Sequence, residues 1–318
     1  MQSPIESPPV SSDLLLDGTW ERSGRSTNVA ALIGLLGIGA VFFNAESILA
    51  VVGIGVKLVL YGRPDATGGF LDKLATSMRF YAGPVRAAVL IAEFVFLLAP
   101  ALWLVKRWHS STVRQYIRLK SASTVEIVLA VLTTLAVIPA GELIAGKLMH
   151  FMHVPERLLK VNAEIFTARS SGEFAWLIVV VCLTPAICEE IFFRGYIQRT
   201  FERTMQWRSV ILVGIFFGLF HFQPLGLVTL AILGILFGYF FYRSKSLFPS
   251  MAAHFTNNLV AIAVLFHPGR ADDVSAQPNV PFPFWIVGGS LLAGTGLLFL
   301  FHTVTSRRNT ATTQVTVT

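Results

Sequence analysis

Apolar runs about as long as a bilayer is thick recur along this chain, separated by short polar stretches. A transmembrane helix needs about 20 mostly apolar residues. The first run begins near Asn28 and continues almost to Tyr61, interrupted by Asn44 and Glu46. It fits either one long tilted helix or a span followed by an interfacial helix. Further runs cover 85–104, 124–148, 174–193, 210–222, 225–242, 248–266 and 282–301. The pattern predicts an all-α polytopic membrane protein with about eight transmembrane helices.

The polar stretches divide the chain. Residues 1–27 form a polar N-terminal tail with Pro4, Pro8 and Pro9, expected to be mobile. They lack the compact basic region of a cleavable signal peptide, so the first apolar segment is expected to stay as an anchor. Residues 28–170 hold N-terminal transmembrane helices and loops. Within 149–173 an extramembrane loop with a short amphipathic helix is expected around Pro155–Lys160. A core at 171–268 follows, then a loop and last helix at 269–304, and a polar tail at 305–318. No internal repeat is visible, which gives a repeat-built transporter little support.

Composition agrees with the pattern. The 318 residues are 54% hydrophobic and only 14% charged, with mean hydropathy +0.65; soluble domains carry about 25% charge. The net charge of +7 sits in short loops, which points to anionic lipid at one face and to no nucleic-acid partner. With eight spans, the larger share of Lys and Arg falls on the side of both termini, including Lys106–Lys120, Arg194–Arg208 and Arg243–Lys245. The positive-inside rule then puts both termini in the cytoplasm, and a bacterial plasma membrane is the expected location. Cys182 and Cys188 lie within one span and read as packing residues.

Against this apolar background, Cys188-Glu189-Glu190-Ile191-Phe192-Phe193-Arg194-Gly195 stands out. An ionisable group at bilayer depth costs roughly 2.5–3.5 kcal/mol on insertion scales and is a functional hypothesis by default. Glu190 and Arg194 are spaced i,i+4 with the acid first, the favourable order for a helical ion pair. Glu189 is turned by about 100°. A working Glu189 beside a structural Glu190–Arg194 pair fits this spacing, and so does a purely structural network of all three. His221 ends one apolar run. His254 and Asn258 share one helix face, which suits either chemistry or a bond to a neighbouring helix.

Taken in order, Glu189-Glu190-x-x-x-Arg194, Phe217-x-x-x-His221 and His254-x-x-x-Asn258 resemble the three signatures of the CPBP family. That family contains the type II CAAX prenyl endopeptidases and the bacteriocin-processing or immunity proteins. The resemblance covers roughly 184–266 and implies an eight-helix core with an intramembrane catalytic cavity open to membrane and cytoplasm. It implies an intramembrane endopeptidase of the glutamate type. Glu189 with His221 would deprotonate a water, a contribution of about 10²–10⁴ in rate. His254 and Asn258 would donate to the oxyanion, each donor being worth about 10²–10³. Glu190 and Arg194 would fix the helix. The substrate would be a membrane-associated peptide or lipidated protein, such as a prenylated CaaX tail, and no cofactor would be required.

Other designs are expected to fit less well. The chain has no His-Glu-x-x-His helix and no Gly-x-Ser-x-Gly elbow. Zinc held by Glu189, His221 and His254 is the metal alternative, since two His and a Glu form a known ligand set. A membrane scaffold or bacteriocin-immunity protein binding a peptide in the same cavity is the non-enzymatic alternative. A transporter using the acids for proton coupling is a third.

Overall fold

The computed structural model describes residues 14–65, 67–155, 158, 161, 163–266 and 282–315. Among these the chain is helical and has no strands, apart from one isolated bridge between Ala168 and Phe266. The long helices are α1 Thr27–Tyr61, α2 Phe70–His109, α3 Thr124–Phe151, α4 Ser171–Met205, α5 Arg208–Phe220, α6 Leu227–Ser244, α7 Phe248–Val264 and α8 Phe284–Val315. Each expected apolar run lies on one of them.

The count of eight spans is not confirmed. Six helices are long and apolar enough to cross a membrane, and α5 and α7 are not among them. With 13 residues α5 extends about 20 Å at 1.5 Å per residue, well short of a bilayer core of about 30 Å. Pro224, just past its end, keeps the chain from continuing as helix. The 17-residue α7 carries His254, Asn257 and Asn258 in place of apolar side chains.

Other boundaries also move. Thr27–Tyr61 is one unbroken helix of 35 residues. Asn44 does not interrupt it, because its amide donates back to the Ala40 carbonyl at 2.8 Å. Helix α2 starts well before residue 85, at Phe70. The amphipathic helix expected around Pro155–Lys160 falls largely outside the described residues, as does 267–281 of the expected 269–304 loop. The polar 305–318 segment continues α8 as far as Val315.

The second half of the expected N-terminal tail is packed. Leu14 and Leu16 rest on the main core, and Glu21 bonds both His109 (Nδ1 to Oε1, 2.7 Å) and Arg203 (Nη2 to Oε2, 2.9 Å). The Gly18 N–H donates to the His109 carbonyl at 3.1 Å. This short segment therefore ties the end of α2 to the end of α4.

Prolines shape the two helices that matter for the site. Pro100 and Pro185 each follow a π-helical turn, Glu93–Leu98 in α2 and Ile178–Leu183 in α4. Proline has no N–H and clashes with the carbonyl four residues back, so the helix widens ahead of it. A third π turn, Ile191–Gln198, follows the Glu189-Glu190 pair. Helices α5 and α6 approach backbone to backbone: a Cβ on Gly214 would stand 2.6 Å from the Ile235 nitrogen, and one on Gly234 would stand 2.7 Å from the Gly214 oxygen. Small residues allow such contact inside a membrane. The same closeness brings the Gly234 carbonyl toward α4.

Candidate active site

Four elements meet around the acid pair of α4. Glu190 and Arg194 are fully buried, and Arg194 Nη1 donates to Glu190 Oε1 at 2.8 Å. The other end of the guanidinium donates to the Gly234 carbonyl of α6 at 3.0 Å. Its carbon sits 4.5 Å from the Phe217 ring centroid and 5.6 Å from that of Phe237. A cation lodged between aromatic faces and bonded to a carboxylate is held on every side.

His254 of α7 joins the same network. Its Nδ1 lies 2.9 Å from Glu190 Oε1, and its ring stacks on Phe237 at 5.2 Å. A carboxylate accepts, so Nδ1 carries the hydrogen here; this assignment follows from the network. Nε2 is then a donor only when the ring is doubly protonated.

Glu189 faces the opposite way from this sealed network. Its Oε2 has no hydrogen-bond partner and stands 3.9 Å from His221 Nε2. The Glu189 side chain is 12% exposed and that of His221 23%, against 0% for Glu190 and Arg194. His221 Nδ1 is 2.8 Å from the Phe217 carbonyl, to which it donates, so in the neutral ring Nε2 is an acceptor. The two facing atoms are thus both acceptors, too far apart for a direct bond. A water placed between them could donate a hydrogen to each.

Asn258 lies one turn beyond His254, and its Nδ2 donates to the Val181 carbonyl at 2.8 Å. Val181 is four residues before Pro185, so its carbonyl has no i+4 N–H to accept from. The amide occupies that position, and its second N–H remains for another partner. All six expected residues therefore stand on neighbouring faces of α4, α5 and α7. They divide into a buried set (Glu190, Arg194, His254), a partly exposed set (Glu189, His221), and Asn258 on the α4 backbone.

The zinc alternative needed Glu189, His221 and His254 to converge, but His254 turns to Glu190. Among the described residues no three His, Cys, Asp or Glu side chains form a group that could hold a metal ion. Both thiols are free and buried, Cys188 directly before the acid pair.

Sequence reasoning missed Glu93. It is 2% exposed at the start of the π turn in α2, and its carboxyl is in hydrogen-bond contact with that of Glu189. Glu46 of α1 lies near both. The signal was present: each is an isolated acid within an apolar run, the same feature that singled out Glu189.

No curated protein and no solved structure matches the chain. Residues 171–260 match the family model described as Rce1-like, type II CAAX prenyl endopeptidase. The matched stretch contains Glu189, Glu190, Arg194, His221, His254 and Asn258, and so spans the whole constellation just described. Over residues 171–260 the chain is similar to the Rce1-like family of type II CAAX prenyl endopeptidases.

Proposed function

We propose that the protein is an intramembrane endopeptidase that uses Glu189 and His221 to activate water against a peptide bond of a membrane-associated substrate. One observation carries the reading: an unpartnered Glu189 oxygen faces the acceptor nitrogen of His221 at 3.9 Å, in the partly exposed half of an otherwise sealed acid network. A water between them would donate a hydrogen to each. On attack, the water oxygen bonds the carbonyl carbon and its proton passes to Glu189. The C–N bond then breaks, and the proton moves from Glu189 to the leaving amine.

His254, as an imidazolium fixed through Nδ1 on Glu190, would present Nε2–H to the oxyanion, and the second N–H of Asn258 would join it. Glu190 and Arg194 orient His254 and anchor α4 to α6. The family points to a prenylated CaaX-type tail as the substrate. The loops counted together as basic also meet in space: Arg118 binds Glu202 through two bonds (2.7 and 2.8 Å), and Lys245 binds it at 2.9 Å. That convergence supports a cytoplasmic face at this end, with both termini inside.

The test is cleavage of a farnesylated CaaX peptide by protein reconstituted in liposomes, read by mass spectrometry of the products. The wild type should release the terminal tripeptide, and Glu189→Ala should not. Peptide that binds equally to both forms and is never cleaved would favour the scaffold alternative.

A further inference from the structure

Glu93 of α2 lies beside Glu189 of α4, and Glu46 of α1 is within electrostatic range of both. Glu93 is the deepest. Its carboxyl touches that of Glu189, and one oxygen of each is buried without a hydrogen-bond partner. The π turn that begins at Glu93 packs directly on Thr184–Glu190. A π turn changes the direction of the side chains it carries, and such turns recur at functional positions. Arg194 acts on Glu189 only at a distance, since its hydrogen bonds go to Glu190 and the Gly234 carbonyl. The titratable and charged groups around Glu93 and Glu189 are Glu46 of α1, Cys188 and Arg194 of α4 and, on the far side of Glu189, His221 at the end of α5.

We propose that Glu93 is a positioning residue that shares one proton with Glu189, its carboxyl donating a hydrogen bond to the Glu189 carboxylate and aiming the free oxygen at the water site. The inference rests on the protease reading for its purpose, not for its geometry. Two carboxyls in hydrogen-bond contact must hold a proton between them, because two adjacent negative charges in an apolar surround repel. The proton belongs to the pair. During hydrolysis the pair starts with one proton, gains a second from the attacking water, and returns to one when the leaving amine is protonated. Glu93 touches neither substrate nor water and acts through Glu189 alone.

Infrared spectroscopy of the full chain in liposomes tests this directly, reading the C=O stretch of protonated carboxyls near neutral pH. Glu93→Gln should remove one component of that band, while the amide keeps the donor and the fold. Glu189→Gln should leave the Glu93 component and shift its frequency. A band unchanged by Glu93→Gln overturns the proposal. So does an unshifted band in Glu189→Gln, which also decides the matter if Glu93→Gln does not fold.

The second readout is the pH profile of cleavage of the farnesylated CaaX peptide. The wild type should lose turnover on the alkaline side as the pair loses its proton, and Glu93→Gln should lack that limb. A merely structural Glu93 would leave the shape of the profile unmoved, and superimposable profiles would count against the shared proton. The infrared result needs no substrate. Failure of cleavage therefore bears on the protease reading, and failure of the band changes bears on the pair.

Discussion

Asn258 donates to the Val181 carbonyl at 2.8 Å, and Val181 is the residue whose carbonyl Pro185 cannot bond. A backbone defect in α4, four residues before Glu189, is thus closed by a side chain of α7. Membrane helices tolerate proline when a neighbour satisfies the released carbonyl. The bond also locks the helix bearing His254 against the helix bearing the acids.

This coupling predicts a thermodynamic cycle. Asn258→Ala should lower the melting temperature in detergent, since a buried carbonyl left without a partner costs about 1–3 kcal/mol. In a Pro185→Ala background, where an N–H is restored at position 185, the same substitution should cost clearly less. Equal losses in both backgrounds would mean that Asn258 stabilises through some other contact.

Metal dependence is a separate question with a direct answer. The glutamate reading expects cleavage of the farnesylated peptide to survive dialysis against a strong chelator, with no stoichiometric zinc by elemental analysis. Activity lost on chelation and restored by zinc alone would replace the water-activating pair with a metal centre.

The tie at residues 14–26 gives a pH prediction. Burial pushes the Glu21 carboxyl up, but the bonds from His109 and Arg203 outweigh it and hold the group at about 2, against 4.5 ordinarily. A depressed acid stabilises the fold fully above its unfolded value and loses that contribution as pH falls toward the folded value. Glu21→Gln should therefore melt earlier than wild type near neutral pH, and the gap should close between about pH 4.5 and 2. A gap that stays constant over that range would show that Glu21 acts by packing rather than charge.

Much of the architecture was legible because bilayer thickness imposes one length on every spanning segment, and the chain repeats that length plainly. What escaped was set by contacts between helices. No periodicity announces that α5 stops short, because its end is fixed by His221 and Pro224 and not by loss of apolarity. The tail at 14–26 looked free because its anchors, His109 and Arg203, lie 88 and 182 residues away from Glu21. In the site, i,i+4 spacing gave the Glu190–Arg194 bond correctly, since one helix determines it. The partners of His254 and Asn258 depend on how α7 meets α4, and spacing within α7 says nothing of that. Glu93 escaped through uneven weighting of isolated acids, not through lack of signal.

The sharpest division in the site is between the two adjacent glutamates, and it predicts opposite effects on stability. Glu190 is bonded by Arg194 at 2.8 Å and by His254 at 2.9 Å, all three being nearly or wholly buried. Removing one partner of a buried ion pair typically costs about 3–5 kcal/mol, because the other charge is left without compensation. Arg194→Ala and Glu190→Ala should both melt early and lose turnover. Glu189 has an unpartnered oxygen and no hydrogen-bonded cation, the arrangement of a residue kept for chemistry at some expense of stability. Glu189→Ala should abolish cleavage while melting at or above the wild-type temperature. His221→Ala should also lose turnover, by about 10²-fold or more, with little change in melting. All four variants belong in one detergent, with melting and turnover measured side by side. If Glu189→Ala melts as early as Arg194→Ala while Glu190→Ala holds, the roles of base and structural partner are reversed.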